Sequence, residues 1–148
     1  MLSEVLSKYN KIILVGDSGV GKTRFVHTLL GIQDNITPTI GANVYAEKIW
    51  DISGNDTGLI DGYFIGADMC IIFYDTARTD SFRNMIRKWK PDVSRVTDST
   101  TVFVGTYRGS CPKTENWMMT VLKKYERIPH VKLNVSDPEQ VRKFFTTF

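Results

Sequence analysis

Cysteine is scarce in this sequence. There are two: Cys70 lies inside the apolar run Met69-Cys70-Ile71-Ile72-Phe73-Tyr74, and Cys111 lies in a Gly-Ser-Cys-Pro loop. Two cysteines so placed make neither a disulfide framework nor a metal cluster, so a reducing cytoplasmic or nuclear compartment is expected. No apolar run approaches the length of a membrane span, and Met1-Leu2-Ser3-Glu4 has no signal-peptide character. No glycine follows Met1 and no cysteine stands in Phe145-Thr146-Thr147-Phe148, so no covalent membrane anchor is expected. The chain also lacks a polybasic run or a basic-aromatic stripe, and a net charge of +3 is mild, so no nucleic-acid surface is expected. It has no internal repeat and no low-complexity linker. At 148 residues, with 42% hydrophobic and 24% charged side chains, it reads as one globular domain spanning 1–148.

What is present centres on one octet. Gly16-Asp17-Ser18-Gly19-Val20-Gly21-Lys22-Thr23 fits the phosphate-loop pattern of Gly, four free positions, Gly, Lys and Ser or Thr. Lys11 to Val15 before it reads as a short buried strand, and Thr23 to Leu30 after it as a helix ending at Gly31. That context suits a polyphosphate: backbone N–H groups turn inward, the helix presents its positive end, and Lys22 adds a cation. The Thr23 hydroxyl is a candidate Mg²⁺ ligand. A turn that binds nothing is the bland alternative.

Short apolar runs alternate with longer amphipathic stretches, the pattern of βα repeats and a mainly parallel sheet. Strands are expected at Lys11 to Val15, Val44 to Asp51, Met69 to Tyr74, Thr101 to Val104 and Val131 to Val135. Helices are expected at Thr23 to Leu30, weakly at Gly58 to Phe64, then at Ser81 to Val96, Thr114 to Tyr125 and Pro138 to Phe148. Asp80 and Ser81 are candidate caps of the third helix, whose Phe82, Met85, Ile86, Trp89 and Val93 recur at helical spacing as core. Pro91 should kink that helix or interrupt a hydrogen bond. Ser136-Asp137-Pro138 opens the last one.

Two further segments narrow the chemistry. Thr37-Pro38-Thr39-Ile40-Gly41 follows the first helix, and Trp50-Asp51-Ile52-Ser53-Gly54 ends the next strand. A carboxylate at a strand end near Thr23 suits Mg²⁺, which takes hard oxygen ligands, and Asp51 is that candidate. Gly54 lets its N–H approach a terminal phosphate with no Cβ in the way.

With these motifs together, the sequence resembles a Ras-superfamily small GTPase. The octet looks like the Rab phosphate loop, Thr-Pro-Thr-Ile-Gly like the Rab or Ran first switch, and Trp-Asp-x-x-Gly like the third motif. The segment from Asp61 to Ile72 is similar to the Ran segment that follows it. The resemblance implies an α/β fold: a three-layer P-loop NTPase (Ras-like G domain) with a mainly parallel sheet of five or six strands. It implies GTP or GDP as ligand, held with Mg²⁺ by Gly16 to Lys22, with Lys22 on the β and γ phosphates and Thr23 and Thr39 on the metal. Asp51 would hold the metal through water, and Gly54 would sense the γ phosphate. The loops carrying Thr39 and Gly54 would be switches, and partners would be regulators or effectors of the small-GTPase type.

Three departures modify that expectation. Asn55 stands where the family has the glutamine that positions water, so slow or absent hydrolysis is expected, with Lys22 and Thr39 completing the catalytic group. Asn55 serves equally well as a cap for the helix that follows. The family's Asn-Lys-x-Asp motif reads Thr106-Tyr107-Arg108-Gly109, without the guanine-binding carboxylate. There Thr106 and Tyr107 remain candidate base contacts, Tyr107 by stacking or else as a mere surface aromatic. Asn134 and Val135, with Ser136, replace the Ser-Ala-Lys loop.

The third departure is one of length. Only 11 residues separate Thr39 from Asp51, whereas two ordinary strands and a turn need about 13. The antiparallel edge strand is therefore expected to be shortened or missing, with one continuous strand from Asn43 to Asp51 the favoured form. The leading reading is a Mg²⁺-dependent guanine-nucleotide switch with impaired hydrolysis. The alternative is a pseudo-GTPase that engages Ran or Rab partners without catalysis. A small-molecule kinase would need an acceptor site and an arginine-rich lid, and no segment fits either.

Overall fold

The structure, a computed structural model, describes residues 2–55 and 61–148. Its centre is a six-stranded sheet in the order β2-β3-β1-β4-β5-β6. The strands are β1 (Ile12–Gly16), β2 (Ala42–Tyr45), β3 (Ile49–Ile52), β4 (Met69–Asp75), β5 (Thr100–Thr106) and β6 (His130–Leu133). All neighbours are parallel except β2 and β3. A sheet covered on both faces needs strands apolar at every position, and the alternation of side chains divides them cleanly.

Ile12, Leu14, Met69, Ile71, Phe73, Val102 and Val104 face one layer, where they pack with Leu6 of α1 (Leu2–Leu6), Phe25 and Leu29 of α2 (Lys22–Leu30) and Phe144 and Phe145 of α7 (Pro138–Thr147). Ile13, Val15, Cys70, Ile72, Tyr74 and Phe103 face the other. That layer holds α3 (Asp61–Phe64), α4 (Thr79–Asn84), α5 (Lys90–Val96) and α6 (Asn116–Lys123). The result is the expected three-layer α/β fold. Because β1 lies between β3 and β4 while α2 and α4 cover opposite faces, the chain leaves a crevice at the carboxyl ends of the strands. The octet sits there.

Several boundaries differ from expectation. The single strand from Asn43 to Asp51 is two: β2 and β3 form a short antiparallel hairpin pairing Tyr45 with Ile49 and Ala42 with Ile52. The edge strand is thus shortened, and present. The turn is made by Ala46 and Glu47 at φ of 51° and 60°, residues that carry no turn signal because left-handed backbone usually selects Gly, Asn or Asp.

The third helix starts at Thr79, two residues earlier than expected and ahead of both expected caps, and Arg78 precedes it without a side-chain cap. Ser81 is instead buried, accepting from the Asp75 N–H and donating to the Arg78 carbonyl. Between α4 and α5 the helix widens into a π-helical turn, Met85–Trp89, just before Pro91. There the Lys90 N–H reaches the Met85 carbonyl, so one extra residue is absorbed next to the proline, which has no N–H to give. The last helix is capped as expected: the Asp137 carboxylate accepts from the N–H groups of Glu139 and Gln140. Of the weak second helix, Asp61–Phe64 is helical and the expected beginning lies outside the described residues. The five-residue α1 is too short for its periodicity to be legible.

Candidate functional site

The phosphate loop is held from behind by four anchors. The Lys22 ammonium donates to the carbonyls of Gly16 and Asp17 at 2.7 and 2.9 Å. Thr106 on β5 donates its hydroxyl to the Val20 carbonyl at 2.7 Å. Both terminal nitrogens of Arg78 reach the Ser18 carbonyl at 3.1 Å. The Asp17 carboxylate is turned onto the third helix, where Trp89 Nε1 donates to one oxygen at 2.9 Å and Asn84 Nδ2 to the other at 2.7 Å. The widened turn from Met85 to Trp89 lets a fully buried indole also reach this loop. Each anchor takes a carbonyl or carboxylate out of the concave side of the loop and leaves that side to N–H groups and cations.

In front of the loop, three oxygen-bearing side chains meet. Thr23 donates to Asp51 Oδ2 at 2.5 Å, its hydroxyl lies 3.2 Å from that of Thr39, and Thr39 stands 3.4 Å from the same carboxylate oxygen. These residues come from α2, from the loop after it and from β3, which the sheet order brings side by side. Asp51 is fully buried and its Oδ1 has no hydrogen-bond partner. Burial raises its pKa, against the Thr23 hydrogen bond and the charge of Lys22. Leaving such an oxygen unpartnered costs at least about 1–3 kcal/mol. A small hard cation among two hydroxyls and a carboxylate relieves that cost, so the donor set fits Mg²⁺. Among the described residues no cluster of three His, Cys, Asp or Glu side chains offers a site to a softer metal.

Burial also lowers the pKa of Lys22, to about 8, with Asp51 and Asp17 opposing the shift. A buried ammonium held down to that level gains strongly from an arriving anion. Gly54 touches the loop directly: a Cβ there would lie 2.3 Å from the Ser18 nitrogen and 2.6 Å from the Gly16 oxygen. Only glycine lets the segment after β3 come this close. Asn55 is exposed, and its N–H donates to Ser53 Oγ. The expected start of the helix that Asn55 would cap lies outside the described residues.

Two clefts flank the loop. The first, about 310 Å³, is walled by Ser18, Gly19, Lys22, Thr23 and Thr39 with Gly54. The second, about 880 Å³, is walled by Thr106, Tyr107, Val135 and Ser136 on the far side of Gly19, Val20 and Gly21. Here the fit to expectation is looser. Thr106 is spent on Val20. Tyr107 is half-buried, with its hydroxyl 3.4 Å from Gln140 Oε1. Asn134 is turned into the chain, its carboxamide oxygen accepting from the Ser136 N–H, and Ser136 takes its place on the wall. Gly109 has φ of 68° and open space where a Cβ would project.

Comparison with known proteins bears on this crevice. The family model "Ras of Complex, Roc, domain of DAPkinase" matches residues 11–108, from β1 through the phosphate loop to the end of the second cleft's Tyr107-Arg108 wall. The chain belongs to the Roc family of Ras-like domains. The chain is also similar to "Ras-related protein RABC2a" of Arabidopsis thaliana, to which it is 30% identical over 97 residues. The match covers 56% of this chain, and the chain spans about half, 46%, of that relative's length. The Ras-superfamily members that this Roc-type domain resembles are GTP-binding switch proteins. Sequence reasoning missed two residues of this Roc crevice, Arg24 and Arg108, which line both clefts. Arg24 lies just past the octet and Arg108 at the free position of the altered Asn-Lys-x-Asp segment, so neither is marked by its motif, and only the folded geometry brings both to the two clefts.

Proposed function

We propose that this Roc-type domain is a Mg²⁺-dependent guanine-nucleotide switch with slow hydrolysis. The observation that carries the reading is the convergence of Thr23, Thr39 and the unpartnered Asp51 oxygen in front of a loop whose lysine is buried. Thr23, Thr39 and Asp51 would hold Mg²⁺, which when bound would offset the charge of the β and γ phosphates. Lys22 exchanges its two loop carbonyls for phosphate oxygens, and the Gly54 N–H, pressed against the loop, is poised for the terminal phosphate. Thr39 and Gly54 lie on the two segments that respond to that phosphate, so loss of it releases both and changes the surface offered to regulators and effectors of the small-GTPase type. Asn55, one methylene shorter than glutamine, positions water poorly, and Ran-like as well as Rab-like partners are consistent with the segment from Asp61 to Ile72.

A second reading is favoured by one specific feature. The Lys22 ammonium and the Thr23 hydroxyl are both already satisfied within the protein, so these two groups need no ligand, as a non-catalytic pseudo-GTPase module would require.

Titration with fluorescent GDP, GTP and ATP, with and without Mg²⁺, separates the two. Binding of GTP that strengthens with Mg²⁺ is expected; absence of binding at high micromolar concentration sinks the switch and leaves the module. Single-turnover hydrolysis by Asn55→Gln should exceed that of the unaltered chain, and equal rates would remove the short amide as the cause.

A further inference from the structure

We infer that Arg24 and Arg108 form a two-arginine clamp at the junction of the two clefts, and that this clamp makes nucleotide recognition follow the phosphates rather than the base. The inference rests on the nucleotide-binding reading above and goes beyond it by naming what replaces base selection.

Four residues line both clefts: Gly19, Gly21, Arg24 and Arg108. The two glycines bring only backbone, so the side chains at the junction are the two arginines. They come from opposite sides. Arg24 stands in the first turn of α2, two positions after Lys22, and Arg108 follows the end of β5. Both are exposed. Among the described residues neither holds an ion pair, whereas Arg83 is paired with Asp80, and Arg95 with Asp92 and Asp61. The acid of the loop, Asp17, does not compete for them, because Trp89 and Asn84 hold its carboxylate and it lines neither cleft.

A ligand with its terminal phosphates in the first cleft and its base in the second has its first phosphate and its sugar at this junction. Guanidinium groups there take phosphate oxygens in forked hydrogen bonds whatever the base is. The second cleft offers little that would tell one base from another. The carboxylate that reads guanine in the family is Gly109 here, Thr106 is committed to Val20, and Asn134 to Ser136. Its wall also carries Asp75, whose Oδ1 accepts from the Ala77 N–H, and the small hydroxyls of Ser110 and Ser136; beside them stands Tyr107, an aromatic of the kind that stacks on any base.

The test is binding of GTP, ATP, CTP and UTP, each with Mg²⁺, to the unaltered chain and to Arg24→Ala, Arg108→Ala and Arg24→Lys, by calorimetry at 50 and 200 mM salt. The four nucleotides should bind within about threefold of one another, since the carboxylate that would separate guanine from the other bases is Gly109 here. Each alanine variant should weaken all four by about tenfold, an Arg24→Ala/Arg108→Ala double variant should weaken them further with a shallower salt dependence, and Arg24→Lys should recover only part. GTP preferred over ATP by a hundredfold, or arginine variants that bind as the unaltered chain does, would overturn the clamp while leaving the switch. If no nucleotide binds at either salt, the clamp and the switch fail together. Circular dichroism of each variant checks that it is folded.

Discussion

At the phosphate end of the crevice, side chains from three separate elements aim at one point, and a buried carboxylate oxygen is left there with nothing to bind. At the base end the polar groups are turned on one another instead: Thr106 to Val20, Tyr107 and the Asn134 N–H to Gln140, the Asn134 side chain to Ser136. The first arrangement carries a cost that only a ligand relieves; the second is complete without one. A site whose polar groups stay unsatisfied in the protein has kept its specificity for something outside it. By that standard the proposed clamp predicts a domain that selects for a metal-bound polyphosphate more strongly than for the base attached to it.

The largest expected effect breaks the phosphate end outright. Lys22→Ala removes a buried cation and strands the Gly16 and Asp17 carbonyls, so nucleotide affinity should fall by at least about a hundredfold, some 3 kcal/mol, measured by calorimetry. A residual affinity within tenfold of the unaltered chain would mean that the arginines, not the loop, carry the phosphates.

The next effect restores the base end. Gly109 is left-handed, with nothing within 4 Å of a built Cβ, and aspartate tolerates that backbone better than most residues. Gly109→Asp should therefore return a guanine-reading carboxylate and raise the GTP over ATP ratio by about tenfold or more, about 1.4 kcal/mol. An unchanged ratio would place the fault in the wall around Tyr107 and not in the missing carboxylate.

A smaller effect tests how the loop is held. Trp89→Phe keeps an aromatic core but leaves Asp17 with Asn84 alone. Urea denaturation should show a loss of about 1–3 kcal/mol, with a parallel weakening of nucleotide binding. Stability lost without any change in binding would show that the anchor serves the core and not the loop.

How much of this was legible beforehand follows from where each signal lies. The octet, Thr39, Asp51 and Gly54 are each announced by their neighbours, because a strand end, a glycine and a hydroxyl at fixed spacing are local facts. The strand alternation that divides Ile12 and Leu14 from Ile13 and Val15 is equally local. The hairpin at Ala46 and Glu47 was not legible, since neither residue advertises a left-handed turn, and counting residues argued for a continuous strand. The widened turn before Trp89 was foreshadowed only as a disturbance at Pro91. Arg24 and Arg108 lie more than eighty residues apart in the chain, and nothing short of the sheet order brings them to one rim. Asn134 was assigned by position in an expected motif, whereas the Ser136 N–H, a local competitor, had first claim on its side chain.

The smallest expected effect lies beneath the base end and depends on pH. Tyr74 backs the wall there: its ring fills the space over Gly105, where a Cβ would come within 2.6 Å of the phenol. Its hydroxyl lies 2.7 Å from His130 Nε2, with the two rings stacked. Burial raises the phenol's pKa, so Tyr74 keeps its proton beside the imidazole. Burial, and then the charge of Lys132, lowers the pKa of His130 below its ordinary 6.5. An unfolded histidine therefore takes up its proton before the folded one does. The stabilisation that His130 gives is fully present above pH 6.5 and declines as pH falls from there through its lowered value in the fold. Melting temperatures should drop modestly between pH 7.5 and pH 5, and His130→Gln should flatten that part of the slope. If the phosphate and base ends are as independent as their hydrogen bonds suggest, Mg²⁺-dependent binding of inorganic triphosphate at pH 6 should be the same in both proteins. A difference there would mean that the base wall, through β5 and the Thr106 strut, also sets the shape of the phosphate loop.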